Sequence, residues 1–187
     1  MKLKLQNVRL AFPKLFEAKA VNDGDEPTFG ASLLLDPSDP GNAKTIAEVD
    51  AGIDATAKEK WGAKTTSILG LARKTDKVCL HDGDLKAQYV GFEGMKYVSA
   101  NNKMRPVVVD RSARPLTAQD GVVYAGCYVN ATIELWAQDN KYGKRVNATL
   151  LGVQFVRDGD RFAGGSVGSA EDFDDLGEGA DAEDDLV

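Results

Sequence analysis

Residues 124–157 read YAGCYVNATIELWAQDNKYGKRVNATLLGVQFVR, and the fold turns on how this stretch is read. Apolar and polar residues alternate across 124–137 and again across 145–157, the period of two that sends successive side chains to opposite faces of a strand. Between them, Asp139-Asn140-Lys141-Tyr142-Gly143-Lys144 is a short loop with a glycine, so the pair reads as a β-hairpin. The alternation turns Val129, Ala131, Ile133 and Leu135 towards a core and Tyr128, Asn130, Thr132, Glu134 and Trp136 to the opposite face. An outward tryptophan has two readings: it stacks on a base, or a loop or partner subunit covers it.

Working outward, the pattern from Lys77 is nearly all strand, with segments at 78–80, 89–99 and 107–110 and a turn at Asp82-Gly83-Asp84. In the 89–99 segment, Val90, Phe92 and Val98 are placed inward and Tyr89 and Tyr97 outward. At the amino end, Leu3, Leu5, Val8, Leu10 and Phe12 alternate with one phase slip at Gln6-Asn7. That predicts a strand with a bulge, ended by Pro13. A second strand follows at 29–35, after the turn-forming loop 22–27. One helix is predicted: Asp39 is its N-cap, Pro40 its first position, and Ile46, Val49, Ile53, Ala57 and Trp61 recur at three-to-four spacing before Gly62 stops it. Trp61 is expected to pack on the sheet. Strand after strand with one main helix indicates a mostly β domain, and we expect a five-stranded OB-type antiparallel barrel with extra strands.

The chain has 187 residues, 43% of them hydrophobic, enough for one domain with a real core. Its 23 basic and 29 acidic groups are unevenly divided. Residues 171–187 carry nine acids and no Lys or Arg, which leaves the first 170 residues with 23 cations against 20 carboxylates, or +3 against −9. An acidic extension on a mildly basic body points towards a polyanion partner. Residues 163–170 are small and glycine-rich, a linker composition. The expected organisation is therefore a domain over 1–162 and a disordered linker and acidic tail over 163–187. No run approaches the roughly 18 apolar residues of a membrane-spanning helix, and no signal-peptide pattern opens the chain. A cytoplasmic address is the default expectation.

Enzymatic readings find little support. No phosphate loop, nucleophile elbow, HExxH or CxxC occurs, no cofactor is expected, and Cys79 and Cys127 read as buried small hydrophobes. His81, Asp82 and Asp84 could form a divalent-metal site of the nuclease kind; an ordinary Asp-Gly turn explains the same residues.

What the chain does contain is cations interleaved with aromatics. Between residues 86 and 114, Lys86, Lys96, Lys103, Arg105, Arg111 and Arg114 face only two acids, with Tyr89, Phe92 and Tyr97 among them. Single-stranded nucleic acid offers phosphates to cations and splayed bases to aromatics. The candidate site joins Lys96, Lys103, Arg105, Arg111 and Arg114 with Lys141, Lys144 and Arg145 of the hairpin as phosphate contacts, and Tyr89, Tyr97, Trp136 and Tyr142 as stacking platforms. The hairpin tip reads equally as a solvated turn.

The runs 124–131, 140–148 and 150–155, with Asn7-Val8-Arg9-Leu10, Phe12-Pro13 and the acidic tail, resemble the phage single-stranded DNA-binding protein family once catalogued as a domain of unknown function. The resemblance implies an OB-fold protein that coats single-stranded DNA in phage replication and recombination, inside the bacterial host. It also implies a tail, Asp181, Glu183, Asp184, Asp185, Leu186 and Val187, that recruits replication or recombination proteins. Here the tail departs from the replicative pattern: it ends in Leu186-Val187 without a terminal Phe, and its one aromatic is Phe173. A homodimer is compatible with such a tail reaching a neighbour. The rivals are a scaffolding β-domain that binds no DNA and the metal-dependent nuclease.

Overall fold

A computed structural model describes residues 1–162. The linker and tail readings fall on 163–187, outside the described residues. Seven strands form one sheet: β1 (Lys2–Lys19), β2 (Thr28–Leu35), β3 (Leu80–Asp82), β4 (Lys96–Asn102), β5 (Val107–Val109), β6 (Tyr128–Asn140) and β7 (Gly143–Arg157). Their order is β3-β4-β2-β1-β6-β7-β5, and a further pairing of β4 with β7 closes β1, β2, β4, β7 and β6 into a five-stranded barrel. The expected OB-type barrel with extra strands is present, β3 and β5 being the additions. Not every ladder is antiparallel: β4–β7 and β5–β7 are parallel.

The hairpin forms as its alternation predicts, with Val129, Ala131, Ile133 and Leu135 all buried in the barrel. Its pairing runs to Asn140↔Gly143, so the loop shrinks to Lys141-Tyr142, and Gly143 takes φ 114, a value that favours glycine. The phase slip at Gln6-Asn7 is a bulge, with a register shift between Leu5 and Val8 and Asn7 at φ 51. The strand does not end at Pro13. A second irregularity, with Phe12 at φ 47, buries Leu10 and Ala11 together and turns the Phe12 ring out to 46% exposure, after which β1 continues along β2. Phe12 therefore does not point inward as the alternation suggests.

Helix α1 (Pro40–Trp61) has the predicted ends: the Asp39 carboxylate accepts from the Asn42 backbone N–H at 2.8 Å, and the Gly62 N–H donates to the Lys58 carbonyl. Val49, Ile53, Ala57 and Trp61 are buried against the barrel, and the Trp61 indole N–H donates to Asp139 at 3.0 Å. A second helix, α2 (Thr65–Lys74), was not expected; its start has no side-chain cap and Gly70 interrupts its pattern.

The largest correction concerns 89–99. Only Lys96 onward is strand; residues 83–95 are a 3-10 turn and successive turns folded over the outer face of β2 and β4. Gly91 (φ 90) and Gly94 (φ 74) let the chain double back there. Beneath this flap Ala11, Leu34, Phe92 and Tyr97 make a second small core outside the barrel. Tyr97, placed outward by alternation, is 3% exposed, and Val90, placed inward, is 65% exposed.

Candidate nucleic-acid interface

Where β4 meets β7, small residues let the two strands approach: Ala100 pairs with Ala148 and Asn101 with Thr149. A cleft of about 760 Å³ lies along this seam on the barrel's outer surface. Its floor carries Ser99, Asn101 and Asn102 from β4 and Asn147 and Thr149 from β7; Thr28, where β2 begins, lies at one edge. Asn101 sits directly over Gly30, where any Cβ would collide with its amide oxygen. Asn102 donates to the Leu150 carbonyl at 2.9 Å and Asn147 to the Gln138 side chain at 3.0 Å, so both amides are held in place.

Over this floor, which Val78, Cys79 and Ala148 also line, stand three cations, Lys77, Lys103 and Arg145, and two exposed apolar groups, Trp136 at 44% and Met104 at 76% exposure. Among the described residues no carboxylate lines the cleft. Among the described residues Lys77 and Arg145 have no acidic partner. Lys103 pairs with Glu26 at 2.7 Å, but both side chains are exposed, and such a pair is worth about 0–1 kcal/mol. A phosphate can replace Glu26 there. At the far edge His81 Nδ1 lies 2.6 Å from Asp76, and its ring stacks on Tyr97 at 4.8 Å. The arrangement offers hydrogen bonds, positive charge and one broad ring to a chain laid along the seam.

The candidate residues divide. Trp136, Lys103 and Arg145 come together in the cleft, and no described segment covers Trp136. Lys141 and Tyr142 stand at the hairpin tip, Tyr142 74% exposed with the Lys141 ammonium 4.9 Å from its ring centroid. Lys144 is drawn away to Asp139 at 2.6 Å; the Lys144 and Trp61 hydrogen bonds hold the Asp139 carboxyl below its ordinary pKa. Lys96 pairs with Asp82 at 2.9 Å, Arg105 lies over the Phe16 ring at 5.3 Å, and Arg114 is bound to Asp110 beside exposed Arg111. Tyr89 rests edge-on against Phe12 at 5.1 Å on the flap. Tyr97 offers no stacking surface, because Phe92 and the flap enclose it; burial, with the Asp76 charge, pushes its phenol up to about 12.

Sequence reading missed Lys77, Asn101, Asn102, Met104 and Asn147. The available signal was asparagine inside strands, where that residue is depleted. As for the metal reading, His81 turns to Asp76 and Asp82 to Lys96, and among the described residues no three His, Cys, Asp or Glu gather as ligands.

The family profile described as Enterobacter phage Enc34, ssDNA-binding protein, matches residues 1–187. The chain belongs to that family. Among its relatives, a protein of Acyrthosiphon pisum secondary endosymbiont phage 1, described as putative protein p50, is 49% identical over 178 residues, covering 94% of each chain. Among solved structures, the single-stranded DNA-binding protein from bacteriophage Enc34 in complex with ssDNA aligns with TM-score 0.70 and 31% identity over 87% of this chain and 89% of that one. Gp2.5, a single-stranded DNA-binding protein encoded by bacteriophage T7, aligns with TM-score 0.53 over 96% of this chain and 98% of its own. At 12% identity that likeness is one of fold. The barrel, the acid-free cleft and the Enc34 family likeness thus coincide in one chain.

Proposed function

We propose that this protein binds single-stranded DNA without regard to sequence and serves phage DNA replication and recombination in the cytoplasm of the bacterial host, with no catalytic step of its own. The observation that carries the reading is the cleft along β4–β7, whose only charged or ionisable groups among the described residues, besides His81 and Cys79, are Lys77, Lys103 and Arg145, with half-exposed Trp136 among them. It runs along β4, the third barrel strand, which belongs to the strand pair that OB barrels use for nucleic acid, and it reaches Thr28 at the start of the second. Family membership, and a relative solved with single-stranded DNA, support the same ligand.

Cations along the seam track phosphates, the asparagine amides meet sugar and phosphate oxygens, and Trp136 stacks on a base irrespective of its identity. Contacts to phosphate and sugar and stacking on a ring carry no sequence information, which accounts for tolerance of sequence. The acidic tail is the expected contact for replication or recombination partners. It also competes with DNA for the cations, since it is tethered at high effective concentration.

Titrating the protein with poly-dT at several salt concentrations, while following tryptophan emission, tests the reading. Trp61 is buried, so Trp136 is the reporter. Saturable binding with quenching, and log K falling by about 0.7 per phosphate contact against log salt, is the expected result. No binding at low salt refutes it.

A further inference from the structure

The flap holds a second feature that the cleft does not use. Phe12, Pro13, Tyr89, Val90, Phe92 and Phe162 enclose an open cavity of about 280 Å³, without a charged or hydrogen-bonding group except the Tyr89 hydroxyl. Phe12 and Tyr89 are 46% and 45% exposed. Two large rings left half bare in contact with each other, with Val90 beside them, form a contiguous apolar surface, the kind that serves as a ligand site. Phe12 is also held at φ 47, a region disfavoured for a bulky side chain, and that conformation is what turns its ring outward.

A row of ring contacts links this cavity to the edge of the cleft. His81, which lines the cleft, stacks on Tyr97 at 4.8 Å; Tyr97 meets Phe92 at 5.2 Å, Phe92 meets Phe12 at 5.5 Å, and Phe12 meets Tyr89 at 5.1 Å. Of the five rings, Tyr97 and Phe92 are buried, the His81 side chain is only 14% exposed, and Phe12 and Tyr89 are half exposed. Lys86 spans it, its ammonium 5.0 Å from the Tyr97 centroid and 5.7 Å from that of Phe12. Beyond it, the Arg9 guanidinium lies 4.3 Å from the Phe162 ring. Of the flap's acids, Asp82 is engaged by Lys96 and Asp84 by the Gly94 N–H, which leaves Glu93 exposed.

From this continuity we infer that the cavity is a second base-binding subsite: one nucleobase of a single strand leaving the cleft seats among Phe12, Tyr89 and Phe162, while Lys86 receives the adjoining phosphate. The inference rests on the proposed function. The cavity lies just below the roughly 300 Å³ at which pockets begin to hold drug-sized ligands, which suits one heterocycle. Four ring-to-ring steps of 4.8 to 5.5 Å separate His81 from Tyr89, a separation that the 4 to 16 nucleotides covered by an OB fold can bridge over the flap. A row of rings under a lysine also explains why the flap is built of aromatics, when any apolar residues would bury Leu34.

The test uses the full chain and oligo-dT of about 4 and about 16 nucleotides, the two ends of that range. Tyr89→Ala is expected to weaken the long oligomer by about 5- to 100-fold, the loss of one stacked base, and the short one much less. A Tyr89→Ala protein that loses equal affinity for both lengths, or for neither, overturns the inference. Tighter long-oligomer binding by Tyr89→Ala, seen only while residues 171–187 are present, assigns the cavity to the chain's own carboxy-terminal segment and also overturns it. A second measurement needs no variant: wild-type protein irradiated with 5-iododeoxyuridine-substituted oligo-dT should give cross-linked peptides containing Phe12 or Tyr89 as well as cleft peptides, and cross-links confined to the cleft refute the subsite. Wild-type protein that binds neither oligomer refutes the proposed function itself and takes this inference with it.

Discussion

The two halves of β4 make a useful pair. In the first, Tyr97 points away from the barrel axis yet is buried, because residues 83–95 fold over it and seal Leu34 and Phe92 beneath. In the second, Ser99 and Asn101 point the same way and line an open cleft with Trp136 and Arg145 opposite. Alternation along a strand fixes which side a residue takes; whether that side meets water depends on what folds across it. One strand thus supplies structural adhesion at its start and the floor of the proposed binding cleft at its end.

Perturbations should separate the two halves. The largest effect belongs to the covered one: Phe92→Ala removes a fully buried ring from the outer core and should cost about 3–5 kcal/mol in denaturant unfolding. A loss below about 1 kcal/mol would mean that the flap is not adhesive. In the open half, Trp136→Ala should leave unfolding within about 0.5 kcal/mol of wild type, since the ring is half exposed, and weaken poly-dT binding by about 1–3 kcal/mol. Equal losses of stability and binding would erase the distinction. Arg145→Gln is expected to lower the slope of log K against log salt by about 0.7 and to leave stability alone. Removing residues 171–187 should tighten DNA binding at low salt and matter little at high salt, where screening cancels the tail's competition; salt-independent tightening would point to another cause.

The smallest effect returns to the flap. The Lys96 hydrogen bond, joined by that of the Asp84 N–H, holds the Asp82 carboxyl below its ordinary pKa. A carboxyl depressed in the folded state contributes stability that is present above its unfolded value of about 4 and fades as pH falls through the folded one. Asp82→Asn should flatten the pH dependence of unfolding below about pH 4, by less than about 1 kcal/mol for so exposed a pair, while poly-dT affinity at neutral pH stays within twofold.

The hairpin, the bulge at Asn7, the Asp39 cap and the Gly62 stop were legible in the sequence because each is a local pattern with a local cause. The 89–99 segment misled for a physical reason: Tyr89, Val90, Phe92, Tyr97 and Val98 have the side chains of a strand, while Gly91 and Gly94 adopt turn conformations that composition alone does not reveal. The cleft was only partly legible. Lys103, Trp136 and Arg145 stood out by residue type, whereas Lys77, Asn101 and Asn147 join them through barrel closure and a parallel pairing that no short-range pattern encodes.

That closure ties the cleft to the whole barrel. The hydrogen bond from Asn102 to the Leu150 carbonyl and the β4–β7 pairing join segments 48 residues apart in sequence. Neither contact is local to one hairpin. The proposed binding floor is therefore a property of the closed barrel, and a chain with the seam open presents none of it. Ligand bound at the seam stabilises only the closed barrel, in proportion to the logarithm of its concentration, so on a DNA-rich template the protein is held shut by its own cargo.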